Sequence, residues 1–417
     1  MLARLSADVR QYLLITGNYW AFTLTDGALR MLVVLHFYTL GYSPVQVAML
    51  FVFYEIFGVI TNLVAGWLGA RIGLNRTMNI GLATQVVALS MLLVPAAMLT
   101  VAWVMGAQAL SGIAKDLNKM SAKSSIKLLV PDDQQGTLFR WVAALTGSKN
   151  ALKGVGFFLG GALLAVVGFR TSVAIMAGSL LLVWIVSMAL LKRDLGKAKN
   201  KPKFREIFSK SRAVNLLSGA RLFLFGARDV WFVVALPVFL SQSLGWNFLQ
   251  VGGFLAAWVI GYGIVQSLAP YFTGRGGGQV PDGRAAFVWA SVLAIVPAGM
   301  ALLLAQGQPP QTVLILGLAI FGILFAINSS MHSFLIVSYA SHDGVSLDVG
   351  FYYMANAMGR LLGTVLSGWV FQRFGLVACL YTSAVFVAVA AIVSLALPRH
   401  GHENPTPIAN RAHIETE

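Results

Sequence analysis

Lys115 to Lys127 reads K-D-L-N-K-M-S-A-K-S-S-I-K. Lys115, Lys119, Lys123 and Lys127 recur at every fourth position. A helix turns about 100° and rises about 1.5 Å per residue, so this stripe runs about 18 Å along one side while drifting about 120° around it. The stretch continues an apolar lead-in, Val101 to Leu110. A lysine near the middle of a bilayer costs roughly 2.5–3.5 kcal/mol on insertion scales. A helix carrying several must recover that cost from water, a carboxylate or an anionic ligand.

The surrounding composition shows that a bilayer is the relevant solvent. The chain has 417 residues, 58% of them hydrophobic and only 11% charged, where soluble proteins carry about 25% charged residues. A span needs roughly 20 apolar residues. Twelve stretches meet that length: Gln11–Leu40, Ser43–Ala70, Met78–Leu99, Val101–Leu129, Thr137–Val167, Thr171–Leu191, Ala213–Leu240, Phe248–Tyr271, Ala285–Ala305, Gln311–Ala340, Val345–Gln372 and Leu376–Leu397. The expected fold class is an all-α membrane protein with 12 transmembrane helices. Arg4 and Arg10 precede a long first span that carries Asp26 and Arg30, which does not read as a cleavable signal. Cys379 is the only cysteine, so an intrachain disulfide is excluded.

Between the sixth and seventh stretches, Lys192 to Arg212 holds nine Lys/Arg against Asp194 and Glu206. The net charge of +15 would suit nucleic acid. This concentration in one inter-span loop reads instead as a topology signal that places the loop in the cytoplasm. Counting outward puts both termini, the Arg71–Arg76 loop and the Arg275–Arg284 loop on that side. The turns at Gly41–Tyr42, 241–247 and Gln306–Pro310 carry no Lys or Arg and face outside. Arg170 and Arg373 are mild exceptions at outer ends. The expected organisation is a bundle over residues 1–191, a basic linker over 192–212, a second bundle over 213–397 and a tail over 398–417.

The halves look related. Val33-Val34, Gly41 and Gln46-Val47 resemble Val233-Val234, Gly245 and Gln250-Val251, and Asn150-Ala151 resembles Asn356-Ala357, 206 positions on. Six plus six spans about a basic loop resembles the major facilitator transporters. Gly66–Arg76, G-W-L-G-A-R-I-G-L-N-R, resembles their signature G-x-L-x-D-R-x-G-R at Gly66, Leu68, Arg71 and Gly73, with Ala70 where the signature has Asp. Gly156–Gly161, G-F-F-L-G-G, resembles the G-P-x-x-G-G motif of facilitator antiporters with Phe157 for Pro. Small residues there also serve close helix packing.

Four longer stretches, Asn18–Leu35, Lys115–Pro131, Gly147–Phe158 and Phe225–Pro237, resemble the organoarsenical efflux permeases of arsenic-resistance operons. That resemblance implies export of 1-arseno-3-phosphoglycerate through an inner membrane. It also implies a functional partnership with the glyceraldehyde-3-phosphate dehydrogenase that makes this cargo from arsenate. A monomer is expected. The open alternatives are a proton-coupled exporter of another organic anion or drug, and a non-transporting membrane sensor.

The facilitator pattern lines its cavity with spans one, four, seven and ten, which carry Arg30, Lys115, Lys119 and Arg228; Lys153 and Arg360, in spans five and eleven, fall one position apart in the repeat alignment and could clamp an elongated anion. Arg30, Lys115, Lys119, Lys153, Arg228 and Arg360 are the candidate substrate ligands, because guanidinium and ammonium groups answer phosphoryl, arsenyl and carboxylate oxygens. Asp26, Glu55, Asp116 and Asp229 are candidates for ion pairing or ion coupling. Asp26 and Arg30 sit at i, i+4 and can pair, and Asp116 can hold a lysine. Arg228 and Asp229, adjacent on a helix, are expected to face apart by about 100°. Lys123 and Lys127 are expected to snorkel to the interface. His36 and His332 read as hydrogen-bonded packing residues, and Asn328-Ser329-Ser330 as donors to cargo or a bend in the helix. No Cys/His spacing suits a metal. Gly274–Gly278 lacks the Lys and Ser/Thr of a P-loop, so no cofactor is expected.

Overall fold

The computed structural model describes residues 7–41, 50, 52–131, 133–191, 195–198, 211–246, 248–273 and 280–399. These fold as helices with no strand among the described residues. In the first half, α1 is Ala7–Thr39, α2 Val52–Ile72, α3 Leu74–Met91 and α4 Val101–Leu129. The run Gln135–Leu190 holds α5 and α6, which meet at Gly168. In the second half, α7 is Arg212–Phe232, resuming as Ala235–Gln242; α8 is Phe248–Thr273, α9 Gly283–Ala305 and α10 Pro310–Tyr339. Val345–Ser394 holds α11 and α12, which meet at Gly375. Six helical stretches among the described residues, these two long runs included, are long and apolar enough to cross a membrane. The architecture is twelve membrane-crossing helices in two six-helix halves.

The two long runs arise from the same turn in each half. Gly168 has φ 75° and Gly375 φ 76°, backbone that costs an L side chain but not glycine. They lie 207 positions apart, beside the 206-residue offset of Asn150 and Asn356. Helix starts are set locally. Thr100 Oγ1 accepts from Trp103 N at 3.3 Å, Asp282 Oδ1 accepts from Ala285 N at 3.0 Å, and Pro310 opens α10. Each satisfies or removes a donor that a helix N-terminus leaves orphaned. Some ends differ from the sequence reading. α3 stops at Met91, and a short 3-10 turn, Ala96–Met98, follows Pro95. α7 breaks at Val233–Val234. There the freed N–H groups of Val234 and Ala235 donate to Ser367 Oγ at 3.3 and 3.1 Å. A broken helix at membrane depth needs such a partner.

Small residues pack the spans within each half. A Cβ on Gly156 would meet Leu24 O at 2.7 Å and Ala28 N at 3.1 Å, so α5 lies directly on α1. The G-x-x-x-G spacing of Gly156 and Gly160 therefore serves close approach. Gly359 and Gly363 of α11 pack likewise on α7, the latter with Gly226 O at 2.6 Å.

The halves join along α2 with α11 and α5 with α8. Ser346 Oγ donates to Gly66 O at 2.7 Å, and Asn150 Nδ2 donates to Gln266 Oε1 at 2.6 Å. The end that carries the linker is further sealed by Phe139 against Phe334, with ring centroids 5.0 Å apart. Lys127 Nζ donates to Ser338 O at 3.3 Å. The described linker residues dock there: Leu74 N donates to Leu195 O and Ala198 N to Ala70 O, both at 2.8 Å. Ala70, where the facilitator signature has Asp, thus contributes its carbonyl to this contact. Most of the predicted linker, 192–194 and 199–210, and the tail beyond 399 lie outside the described residues.

Candidate functional site

The charged residues converge between the halves around two tyrosines. On the first-half side, Tyr54 of α2 is the hub. Its hydroxyl donates to Asp26 Oδ1 and Oδ2 at 3.0 and 3.1 Å. Its ring receives Lys115 Nζ at 3.8 Å and the Arg30 guanidinium at 4.8 Å from the centroid. A ring face attracts cations, more strongly where water is excluded. One residue therefore holds α1, α2 and α4 groups in register. The sequence reading missed Tyr54, because a lone aromatic in an apolar span carries no signal for such a role. Glu55, the neighbouring candidate, has a side chain outside the described residues.

Next to Lys115 on α4, Asp116 is fully buried and binds Lys119 Nζ, one turn on, at 2.7 Å. Its other oxygen accepts from Thr61 Oγ1 at 2.9 Å. Lys119 is thus the lysine that Asp116 holds. Its ammonium also lies 4.8 Å from the Tyr353 ring of α11, across the seam.

The second half supplies a three-member cluster. Arg228 binds Asp229 Oδ1 through Nε at 2.6 Å and Nη2 at 2.5 Å. Arg360 Nε binds the opposite oxygen at 3.2 Å. Adjacent residues were expected to face apart. The Cα–Cβ vectors do diverge, but the long arginine side chain folds back, so Arg228 and Asp229 form one unit. Asp229 is 1% exposed, Arg228 16% and Arg360 36%, so the buried carboxylate holds two less buried guanidiniums.

Lys149 and Lys153 of α5 link these groups. Lys149 is in electrostatic reach of Lys119, Arg360, Lys115 and Asp26, and Lys153 of Arg30, Asp26, Lys149 and Arg360. Lys153 Nζ also lies 5.7 Å from the Phe157 ring. The structure therefore brings Arg30, Lys115, Lys119, Lys153 and Arg360 into one neighbourhood, with Arg228 joined through Asp229. It adds Lys149, which sequence reasoning left off the candidate set.

Two expectations fail. Lys123 and Lys127 do not snorkel: they are 3% and 5% exposed. Lys123 Nζ donates to Thr146 Oγ1 at 2.7 Å, and Lys127 reaches Ser338 O, because the sealed seam covers the end where water was expected. His332 is fully buried, and neither ring nitrogen has a hydrogen-bond partner among the described residues. His36 does pack, stacking on Phe169 at 4.1 Å. Asn328 donates to Trp289 O at 3.0 Å and to its own helix, while Ser329 turns toward Arg221.

Chemically, such a set can bind an anion. Nine cations, Arg30, Lys115, Lys119, Lys123, Lys149, Lys153, Arg221, Arg228 and Arg360, face three described carboxylates, Asp26, Asp116 and Asp229. Water, an anion or the loss of a lysine's proton answers the surplus.

The family described as Major Facilitator Superfamily matches this chain over residues 14–347 and 222–415. No curated protein matches it. Among solved structures, the human organic anion transporter MFSD10 (TETRAN) is similar at 15% identity and a TM-score of 0.74, over 94% of this chain and 100% of that one. A bacterial homologue of the iron transporter ferroportin, in an outward-facing state, is similar at 14% identity and 0.75, over 93% and 98%. The E. coli fucose:proton symporter FucP is similar at 12% identity and 0.71, over 94% and 99%. At these identities the likeness concerns the fold.

Proposed function

We propose that this chain, which belongs to the Major Facilitator Superfamily, exports a multiply charged organic anion from the cytoplasm, and that the anion is 1-arseno-3-phosphoglycerate. The observation that carries the reading is the surplus of buried and half-buried basic side chains between the halves, contributed by α1, α4 and α5 on one side and α7 and α11 on the other. Cationic groups on both halves suit an elongated cargo with an anionic group at each end. Arg30, Lys115, Lys119, Lys153, Arg228 and Arg360 are the proposed ligands. Asp26, Asp116 and Asp229 orient them.

Rocking of one half against the other around this midplane cluster supplies alternating access. The inner membrane potential favours exit. At 100 mV, each negative charge leaving gains about 2.3 kcal/mol. A cargo near −3 gains roughly 7 kcal/mol, enough to concentrate outward without a second ion. The linker end is then the cytoplasmic end, and both termini share it. The cargo's chemistry comes from the sequence resemblance to organoarsenical permeases, and its supply from a glyceraldehyde-3-phosphate dehydrogenase acting on arsenate.

The test uses inverted membrane vesicles supplied with that dehydrogenase, its triose substrate, oxidised nicotinamide cofactor and radiolabelled arsenate. Arsenic should accumulate inside only when all components are present. Accumulation that is indifferent to the dehydrogenase would rule out this cargo. A dependence on an imposed proton gradient in the absence of a potential would favour the proton-coupled alternative.

A further inference from the structure

We propose a second anion site nearer the linker end, between Lys123 of α4 and Arg221 of α7, that takes one tetrahedral oxyanion group. It rests on the reading that an anion passes between the halves. It adds an occluded station one helical turn beyond the central cluster, where the sequence pattern suggested only a lysine reaching for the interface.

Both cations are buried, at 3% exposure each, and each lies in the other's field across the two halves. Their hydrogen-bond partners are neutral. Lys123 donates to Thr146. Arg221 Nε donates to Asn356 Oδ1 at 2.9 Å, and its Nη1 to Ser329 O and Oγ at 3.3 Å. Aromatic faces cover them: Arg221 lies 3.8 Å from the Phe225 centroid and 5.2 Å from that of Tyr352, and Lys123 5.1 Å from that of Tyr353. Neutral acceptors and rings moderate a buried charge but do not cancel it.

A second observation points to a ligand. The hydroxyls of Ser333, Tyr352 and Tyr353, all buried, have no hydrogen-bond partner among the described residues. Ser333 Oγ lies beside both tyrosine hydroxyls without meeting hydrogen-bond geometry, and both hydroxyls lie in the field of Arg221. Hydroxyl, guanidinium and ammonium donors neighbour one another here, and none of them bonds a carboxylate among the described residues. That is the donor set of a phosphoryl or arsenyl group. Tyr353 stands between this place and the central one, since Lys119 approaches the same ring. The site needs both halves, so it exists only while the linker end is closed. An oxyanion there would offset the like-charge repulsion of Lys123 and Arg221 and hold that end shut.

The experiment measures binding of radiolabelled inorganic phosphate to the purified full chain at constant ionic strength. The wild type should show two phases. Arg221→Gln should abolish one, and Tyr353→Phe, which keeps the ring and removes only the hydroxyl, should weaken the same phase roughly tenfold. Arg360→Gln should alter only the other phase. A single phase removed by Arg360→Gln and untouched by Tyr353→Phe and Arg221→Gln would overturn the inner site and leave the central reading standing. A single phase lost with Arg221→Gln but indifferent to Arg360→Gln would support the inner site and count against the central cluster. No phosphate binding in the wild type would overturn the inner site, while the vesicle assay still judges export.

Discussion

Replacing Asp229 by asparagine should tighten cargo binding while loosening the protein, and the opposite signs make the test sharp. Asp229 is 1% exposed and spends one oxygen on Arg228 and the other on Arg360. Cargo that engages these guanidiniums must compete with that carboxylate. A hydrogen bond to a charged partner contributes about 1.5–3 kcal/mol. The Arg228 pair accounts for most of it, because Arg360 is 36% exposed and a solvent-screened pair is worth about 0–1 kcal/mol. Removing the competitor should therefore lower the half-saturating cargo concentration about tenfold or more, at 1.4 kcal/mol per decade. The same substitution leaves a partly buried guanidinium without its counter-charge, which costs about 3–5 kcal/mol in well-buried pairs. The lower end applies here, since Arg228 is 16% exposed. Half-saturation in the inverted-vesicle assay and thermal unfolding in detergent measure the two effects. Arg360→Gln, which removes a ligand, should raise half-saturation. If Asp229→Asn raised it as well, Asp229 would be a structural anchor, and the competition argument would be refuted.

Three other tests probe the geometry. Asp116→Asn should destabilise the chain by about 3 kcal/mol by stranding half-buried Lys119, whereas adding Lys119→Met should recover most of the loss; equal instability of the single and double variants would contradict the pairing. Tyr54→Phe keeps the ring under Lys115 and Arg30 and removes only the hydroxyl on Asp26, so transport should fall less than in Tyr54→Leu, which also gives up cation–π contacts worth about 0.5–2 kcal/mol each; equal defects would show that the ring does not hold the cations. Gly350→Ala puts a Cβ 2.9 Å from Asn62 O and 3.1 Å from Gly66 Cα, so it should wedge the linker end open and increase thiol labelling of a cysteine placed at Ser338, while unchanged labelling would mean that the seam yields without opening.

The residues missed in the sequence share a cause. Periodicity located α4 and its lysines, and charge located the linker, because both depend on spacing within one segment. Tyr54 and Tyr353 were not legible, because their role is to lie under cations carried by other helices. The prediction that Lys123 snorkels rested on its distance from a helix end. That rule assumes water at the end, and Phe139, Phe334 and Ser338 cover it instead.

By itself, the sequence determined that this chain spans a bilayer twelve times, that its halves repeat, and that cations occur where lipid would reject them. These follow from transfer free energies and helix geometry, which act locally. Only the tertiary structure decided which cations have counter-charges. Asp116 chose Lys119, and Asp229 chose two arginines, while Lys123 and Arg221 were left facing neutral groups. Charge pairing acts over a few ångströms between distant segments, and the packing of one half against the other sets those distances.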